Sequence, residues 1–139
     1  MTEFTSDIKK IPHNDEAVFR VLSDLSKLDL VKDKIPQDKI QDFKFDSDSC
    51  SFNVSPVGEV KFRVVEREPN KLVKFQSENL PFDTTLWIQL VQKSENDTRM
   101  KITVRSKINA LMKGMVSKPL QEGIDKISDL IAGLPYDQI

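Results

Sequence analysis

His13 is the only side chain in the sequence that trades a proton near neutral pH without help, and Cys50 is the only thiol. His13 stands in a turn between Pro12 and Asn14. Local sequence brings no Asp, Ser or Cys beside it to build a triad, so it reads as a solvent-exposed turn histidine. A reactive thiol needs a lowered pKa and access. Cys50 instead opens an apolar alternation after the polar run DSDS, and reads as a small core or edge hydrophobe. A structural zinc site takes four Cys/His ligands and a catalytic one usually two or three His. The chain therefore points to no metal and to no catalytic residue. Its four glycines, at 58, 114, 123 and 133, allow neither GxGxxG nor GxxxxGK[ST], so the phosphate cradles are missing and no cofactor is expected.

Polar residues at apolar phases are the next candidates. Ser77 and Ser106 share the inward phase of Phe75 and Val104, and Glu66 follows Val64. A buried polar group needs a partner, so these serines are candidate polar contacts for a ligand, with backbone carbonyls or water as the competing partners. Asp15, Glu16 and Asp24 read as helix-dipole partners and a solvated face. Met112 and Met115, one helical turn apart, suit either an adaptable ligand surface or gap filling. NLPFD (79–83) sets Leu80 and Phe82 around Pro81. That loop reads as a lid, as a partner contact, or as a segment folded onto the core edge.

The elements that must position these residues follow from periodicity. Residues 3–11 alternate as a first strand, with Phe4, Ser6 and Ile8 on one face, and Pro12 ends it. Asn14 is a helix N-cap, and Val18, Leu22 and Leu25 draw one apolar stripe over about 15–26. Residues 28–36 form a second short helix or turn stopped by Pro36. From residue 40 the period is two. Six strands follow, separated by DSDS, SPVG (with Pro56 and Gly58), EPNK, NLPFDT and SENDT. Their inner face carries Phe45, Phe52, Phe62, Phe75, Leu86 and Ile88. Their outer face carries Lys61, Arg63, Lys101, Arg105 and Lys107. From Ala110 the period returns to 3.6, in a broad stripe from Leu111 to Leu134. Pro119 is expected to kink this helix or to start a second segment capped by Ser117, and Gly133 to cap its end. The fold class is α+β: a seven-stranded antiparallel curved sheet wrapped around a long C-terminal helix, with two short helices between strands 1 and 2. Residues 1–139 form a single domain.

Composition narrows the partners. The charges, 21 Lys and Arg against 22 Asp and Glu, nearly cancel, which argues against nucleic acid. No apolar run approaches the roughly 20 residues of a spanning helix, so no stable membrane insertion is expected. The start MTEFTSDIKK has no apolar h-region, and with a lone cysteine it makes the cytoplasm the default location.

IKKIPHNDEAVFRVLSDLSKL (8–28) and TTLWIQLVQKSENDTRMKITVRSKI (84–108), set in this element order, resemble the SRPBCC superfamily. That group includes START, birch-pollen-allergen-like and polyketide cyclase-like helix-grip domains. Glu16, Val18, Phe19, Leu22, Ser23 and Asp24 hold the E-x-V-F-x-x-L-S-D pattern, and Trp87 and Thr98–Arg99 mark the late hairpin. The resemblance implies a cavity between sheet and C-terminal helix for a small hydrophobic or amphipathic ligand. Phe45, Phe52, Phe62, Phe75, Ser77, Leu86, Ile88, Ser106, Met112 and Met115 are its expected lining, and Leu80 and Phe82 its lid. The same side chains are able to fill the space instead, since close packing is the default.

Three functions compete. The first is binding, or transport, of such a ligand. The second is a cyclase/dehydratase-like enzyme, which needs Ser77, Ser106 or Glu66 inside. The third is an interaction module or homodimer, which needs an apolar patch around Trp87, Val91, Leu80 and Phe82.

Overall fold

The computed structural model describes residues 2–34, 41–54, 58–80 and 82–139. Pro36, the turn residues 55–57 and Pro81, each named above, lie outside them. Eight strand segments build one antiparallel sheet: β1 (Thr2–Thr5), β2 (Lys9–Ile11), β3 (Gln41–Phe45), β4 (Ser49–Val54), β5 (Gly58–Glu68), β6 (Leu72–Ser77), β7 (Thr84–Ser94) and β8 (Asp97–Ser106). From β3 to β8 each strand pairs with the next, as hairpin signals every few residues require, and β1 and β2 pair with β8 at the far edge. Helix α1 (Asp15–Leu22) lies between β2 and β3, and α2 (Ala110–Ala132) follows β8. No helix among the described residues is long and apolar enough to cross a membrane.

The expected first strand is two strands, because one extra residue interrupts it. Thr5 pairs with Thr103 but Lys9 pairs with Met100, so four steps on this strand match three on β8. The extra residue reverses the alternation. Phe4 and Ser6 point inward as the period-two reading requires, Ile8 turns out to 66% exposure, and Ile11 is fully buried. Ser6 holds the irregularity together. Its N–H donates to the Ile102 carbonyl at 2.9 Å. Its hydroxyl accepts the Ile102 N–H at 2.9 Å and donates to the Asp7 carbonyl. A second bulge lies between Val64 and Glu66 on β5, where Val64 pairs with Phe75 and Glu66 with Lys74. It turns Val65 and Glu66 outward and removes Glu66 from the inner face.

Asn14 caps α1, its side-chain oxygen accepting the Ala17 N–H at 2.8 Å. The helix buries Val18, Val21 and Leu22. The segment after it, Leu25–Lys34, is a 3₁₀ helix, longer and tighter than the short helix expected over 28–36. Residues three apart share a face in that geometry, and Leu25 and Leu28 are both buried while Leu30 is 68% exposed.

Helix α2 is continuous through Pro119, with neither a second segment nor a cap at Ser117. Its cap is Asn109, whose side chain accepts the Met112 N–H at 2.8 Å. Ser117 bonds back to the Lys113 carbonyl from inside the helix. Pro119 forfeits only the bond to the Met115 carbonyl, on a turn open to water. Gly133 caps the far end, donating to the Asp129 and Leu130 carbonyls. Val116, Leu120, Ile124 and Ile131 face the sheet, and each such buried aliphatic stabilises the fold by about 1.5–3 kcal/mol. Lys9 on β2 reaches Asp129 at 2.7 Å and ties the sheet edge to the helix.

Candidate functional site

Two small cavities lie between the sheet and α2. The larger, about 60 Å³, is walled by Leu22, Leu25 and Leu28 from the first helical region, by Phe43, Cys50, Phe52, Phe62, Phe75, Leu86 and Ile88 from the strands, and by Ile127, Ile131 and Leu134 from the end of the chain. The smaller, about 30 Å³, is walled by Val60, Thr84, Val104, Leu120, Gly123 and Ile124. Phe52, Phe62, Leu86 and Ile127 line both and form the partition. The Phe52 and Phe62 rings stack within it, their centroids 6.2 Å apart. Among the described residues neither lining contains a charged side chain.

The expected lining residues divide by strand register. Phe52, Phe62, Phe75, Leu86 and Ile88 line the larger cavity. Phe45 lines neither. It is half-buried against Phe43, 5.6 Å between centroids, and Phe43 takes the cavity wall instead. The irregular pairing between Gln41 and Lys44 lies just ahead of these two rings. Met115 is 62% exposed and Leu111 81% exposed, while Met112 is half-buried and lines neither cavity. The physical reason is angular. Met115 sits 100° round the helix from Val116, so only one of them faces the sheet. Ile127, Ile131, Leu134 and the leucines of residues 22–28 escaped the expected lining. For Ile127, Ile131 and Leu134 the stripe through Leu120 and Ile124 was the available signal.

Ser77 and Ser106, expected in the lining, line neither cavity and are engaged instead with one residue, Thr84. The Ser77 hydroxyl accepts the Thr84 N–H at 3.1 Å, and the buried Ser106 and Thr84 hydroxyls lie 2.6 Å apart. Leu80 is half-buried and Phe82 is buried at 7% exposure. Asn79 stitches this loop to β5, accepting from the Lys61 N–H and donating to the Glu59 carbonyl.

Cys50 lies on the wall of the larger cavity, where burial, followed by the Asp46 charge, pushes its thiol up to about 12. That environment is the reverse of an activated thiol's. His13 is half-buried, not solvated, with its ring edge-on to Tyr136 at 5.4 Å and its carbonyl accepting from the Thr98 hydroxyl. Asp15 and Glu16 lie in the first turn of α1, and Asp24 caps Ser26. Among the described residues no group of three or more His, Cys, Asp or Glu side chains is placed to hold a metal.

The outer face resolves into pairs. Glu3 meets Arg105 at 2.9 Å and Glu78 meets Arg63 at 3.2 Å. Lys74 and Arg105 sit over the Trp87 ring at 5.7 and 5.5 Å. Trp87 is half-buried beneath these cations, Leu80 is half-buried and Phe82 buried, while Val91 is exposed.

No family model and no curated relative matches the sequence. Solved structures match the fold. A START superfamily protein from Mycobacterium smegmatis is similar over 94% of each chain, at a TM-score of 0.69 and 10% identity. Norcoclaurine synthase from Thalictrum flavum, in complex with dopamine and hydroxybenzaldehyde, is similar over 99% of this chain and 88% of its own, at 0.70 and 13%. A protein from Thermus thermophilus matches over 94% of each chain, at 0.66 and 16%. The sheet order, the long helix laid across its apolar face and these likenesses together establish that the chain has the helix-grip fold of the START and norcoclaurine synthase structures.

Proposed function

We propose that the chain binds a small, predominantly apolar molecule between the sheet and α2. The observation that carries this reading is the pair of apolar cavities divided only by side chains. Protein interiors are normally filled to crystal-like density, and voids here fall where the helix-grip fold brings sheet and helix together. Size limits the ligand. An engineered cavity of about 150 Å³ takes benzene, so 60 Å³ admits neither a lipid chain nor a single ring without rearrangement. The reading therefore requires that rotation of Phe52 or Phe62, or displacement of Ile127, join and enlarge the two spaces. The norcoclaurine synthase likeness supports a ligand of one ring once the space is enlarged, since dopamine and hydroxybenzaldehyde are single-ring molecules. Phe82, buried two residues before Thr84, is the covering residue that this reading assigns to the entrance.

A cyclase- or dehydratase-like activity draws no support from Glu66, which is exposed, from Ser77, whose oxygen is engaged by the Thr84 N–H, or from Ser106, whose hydroxyl is paired with that of Thr84 and lines neither cavity. Methyl-resolved NMR titration with single-ring hydrocarbons tests the binding reading. It expects saturable shifts at Leu86, Ile88 and Ile127. If every methyl stays unmoved by every compound, the interior is a closed core and the reading is wrong.

A further inference from the structure

The smaller cavity contains two residues that close packing alone would not select. Thr84 carries the one polar side chain in its lining, and Gly123 stands opposite, within α2. Glycine inside a helix weakens it relative to alanine, and a buried hydroxyl requires partners.

Both buried hydroxyls have partners, but of unequal quality. Thr84 and Ser106 bring two O–H protons. They share one bond at 2.6 Å, and the other acceptor among the described residues is the Phe82 carbonyl at 3.4 Å, a long contact for an O–H donor. One donor is therefore weakly used. If Ser106 donates to Thr84, that donor is the Thr84 hydroxyl on the cavity wall. A buried water needs two to four polar partners, and this lining offers one polar side chain. An organic molecule with a single acceptor atom fits those constraints better than water does.

We infer that the space between Thr84 and Gly123 receives the acceptor oxygen of an uncharged ligand, a ketone, ether or ester, whose hydrocarbon part occupies the larger cavity. This rests on the apolar-ligand reading above and specifies its ligand class. An uncharged ligand is the match because, among the described residues, no charged side chain lines either cavity and an unpaired buried charge is costly. Gly123, a lining residue of the same space, is where an added methyl group would compete with the ligand.

Cyclohexanone and methylenecyclohexane differ by oxygen against CH₂ and make the test. Their affinities are measured by methyl NMR titration on the wild type, Thr84→Val and Gly123→Ala. Thr84→Val is expected to weaken cyclohexanone about five- to tenfold, the scale of one net hydrogen bond, and to leave methylenecyclohexane within about twofold. Gly123→Ala is expected to weaken cyclohexanone while the helix remains folded by circular dichroism. Equal changes for both ligands in Thr84→Val, or unchanged cyclohexanone binding, overturn the acceptor role. If Thr84→Val fails to fold, Gly123→Ala decides, and undiminished cyclohexanone affinity there overturns it. Failure of both ligands to bind the wild type removes the underlying binding reading as well, a result distinct from equal binding.

Discussion

The Tyr136 hydroxyl donates a 2.6 Å hydrogen bond to the Ile131 carbonyl, folding the chain back onto the last turn of α2. Tyr136 is fully buried, and Arg20 on α1 bonds to the backbone oxygens of Tyr136 and Ile139. The end of the chain is thereby fastened to both helices beside the larger cavity, where Leu134 supplies a wall.

Replacing Tyr136 tests that fastening. Tyr136→Phe keeps the ring and loses one buried bond, so urea unfolding is expected to show a loss of about 1 kcal/mol. Tyr136→Ala opens a large cavity and is expected to cost about 3–5 kcal/mol. Burial raises the phenol above its usual value. A group with a raised folded pKa stabilises below its unfolded value and loses that contribution as the pH climbs. The wild type is therefore expected to weaken progressively above about pH 10, relative to Tyr136→Phe. Parallel stability curves for the two proteins in that range would show that the phenol is solvated.

Ser6 tests the bulge on the first edge strand. Its hydroxyl accepts the N–H of Ile102, a residue with no exposed surface. Ser6→Ala leaves that donor unpaired and is expected to destabilise by about 1–3 kcal/mol. A cost near zero in thermal unfolding would mean that β1 and β2 re-pair without the extra residue.

These bulges mark the limit of what the sequence discloses. The strand order, the helix cap at Asn14 and the gripping helix are legible because each is written in local period or cap chemistry. Ile8 and Glu66 are misread from period alone. One inserted residue reverses every later side chain, and the insertion is visible only against the partner strand. Met115 is misread for another reason. A stripe that includes both Met115 and Val116 is wider than one helix face. The cavity walls at Phe52, Phe62 and Leu86 are legible in strand phase, but Cys50 is read only as a small hydrophobe, and no periodicity discloses a void beside it.

The two sides of α2 should differ sharply under mutation. Met115 is 62% exposed and Ile124 is 5% exposed. Met115→Gln is expected to stay within about 0.5 kcal/mol of the wild type, as exposed substitutions do. Ile124→Ala is expected to cost about 2–5 kcal/mol, because it enlarges a space that is already underfilled. A Met115→Gln loss comparable with that of Ile124→Ala, measured by chemical denaturation, would put Met115 in the core.

Cys50 offers a chemical readout of the cavity. Thiols react as thiolates, and burial holds this one protonated, with its pKa pushed up to about 12. In buffer near pH 8, alkylation by iodoacetamide is expected to be at least about a hundredfold slower in the folded chain than in denaturant. Cys50 is half-buried, and openings that separate the sheet from α2 add a route of labelling to its own access, since Ile127 and Ile131 lie across the same cavity. A molecule occupying that cavity stabilises the closed state by mass action. Saturating cyclohexanone is therefore expected to slow labelling further, and to do so less after Gly123→Ala. Labelling at the rate of a free thiol would mean that the cavity wall at β4 is open to water. Slow labelling that cyclohexanone leaves unchanged would mean that Cys50 is protected by packing alone.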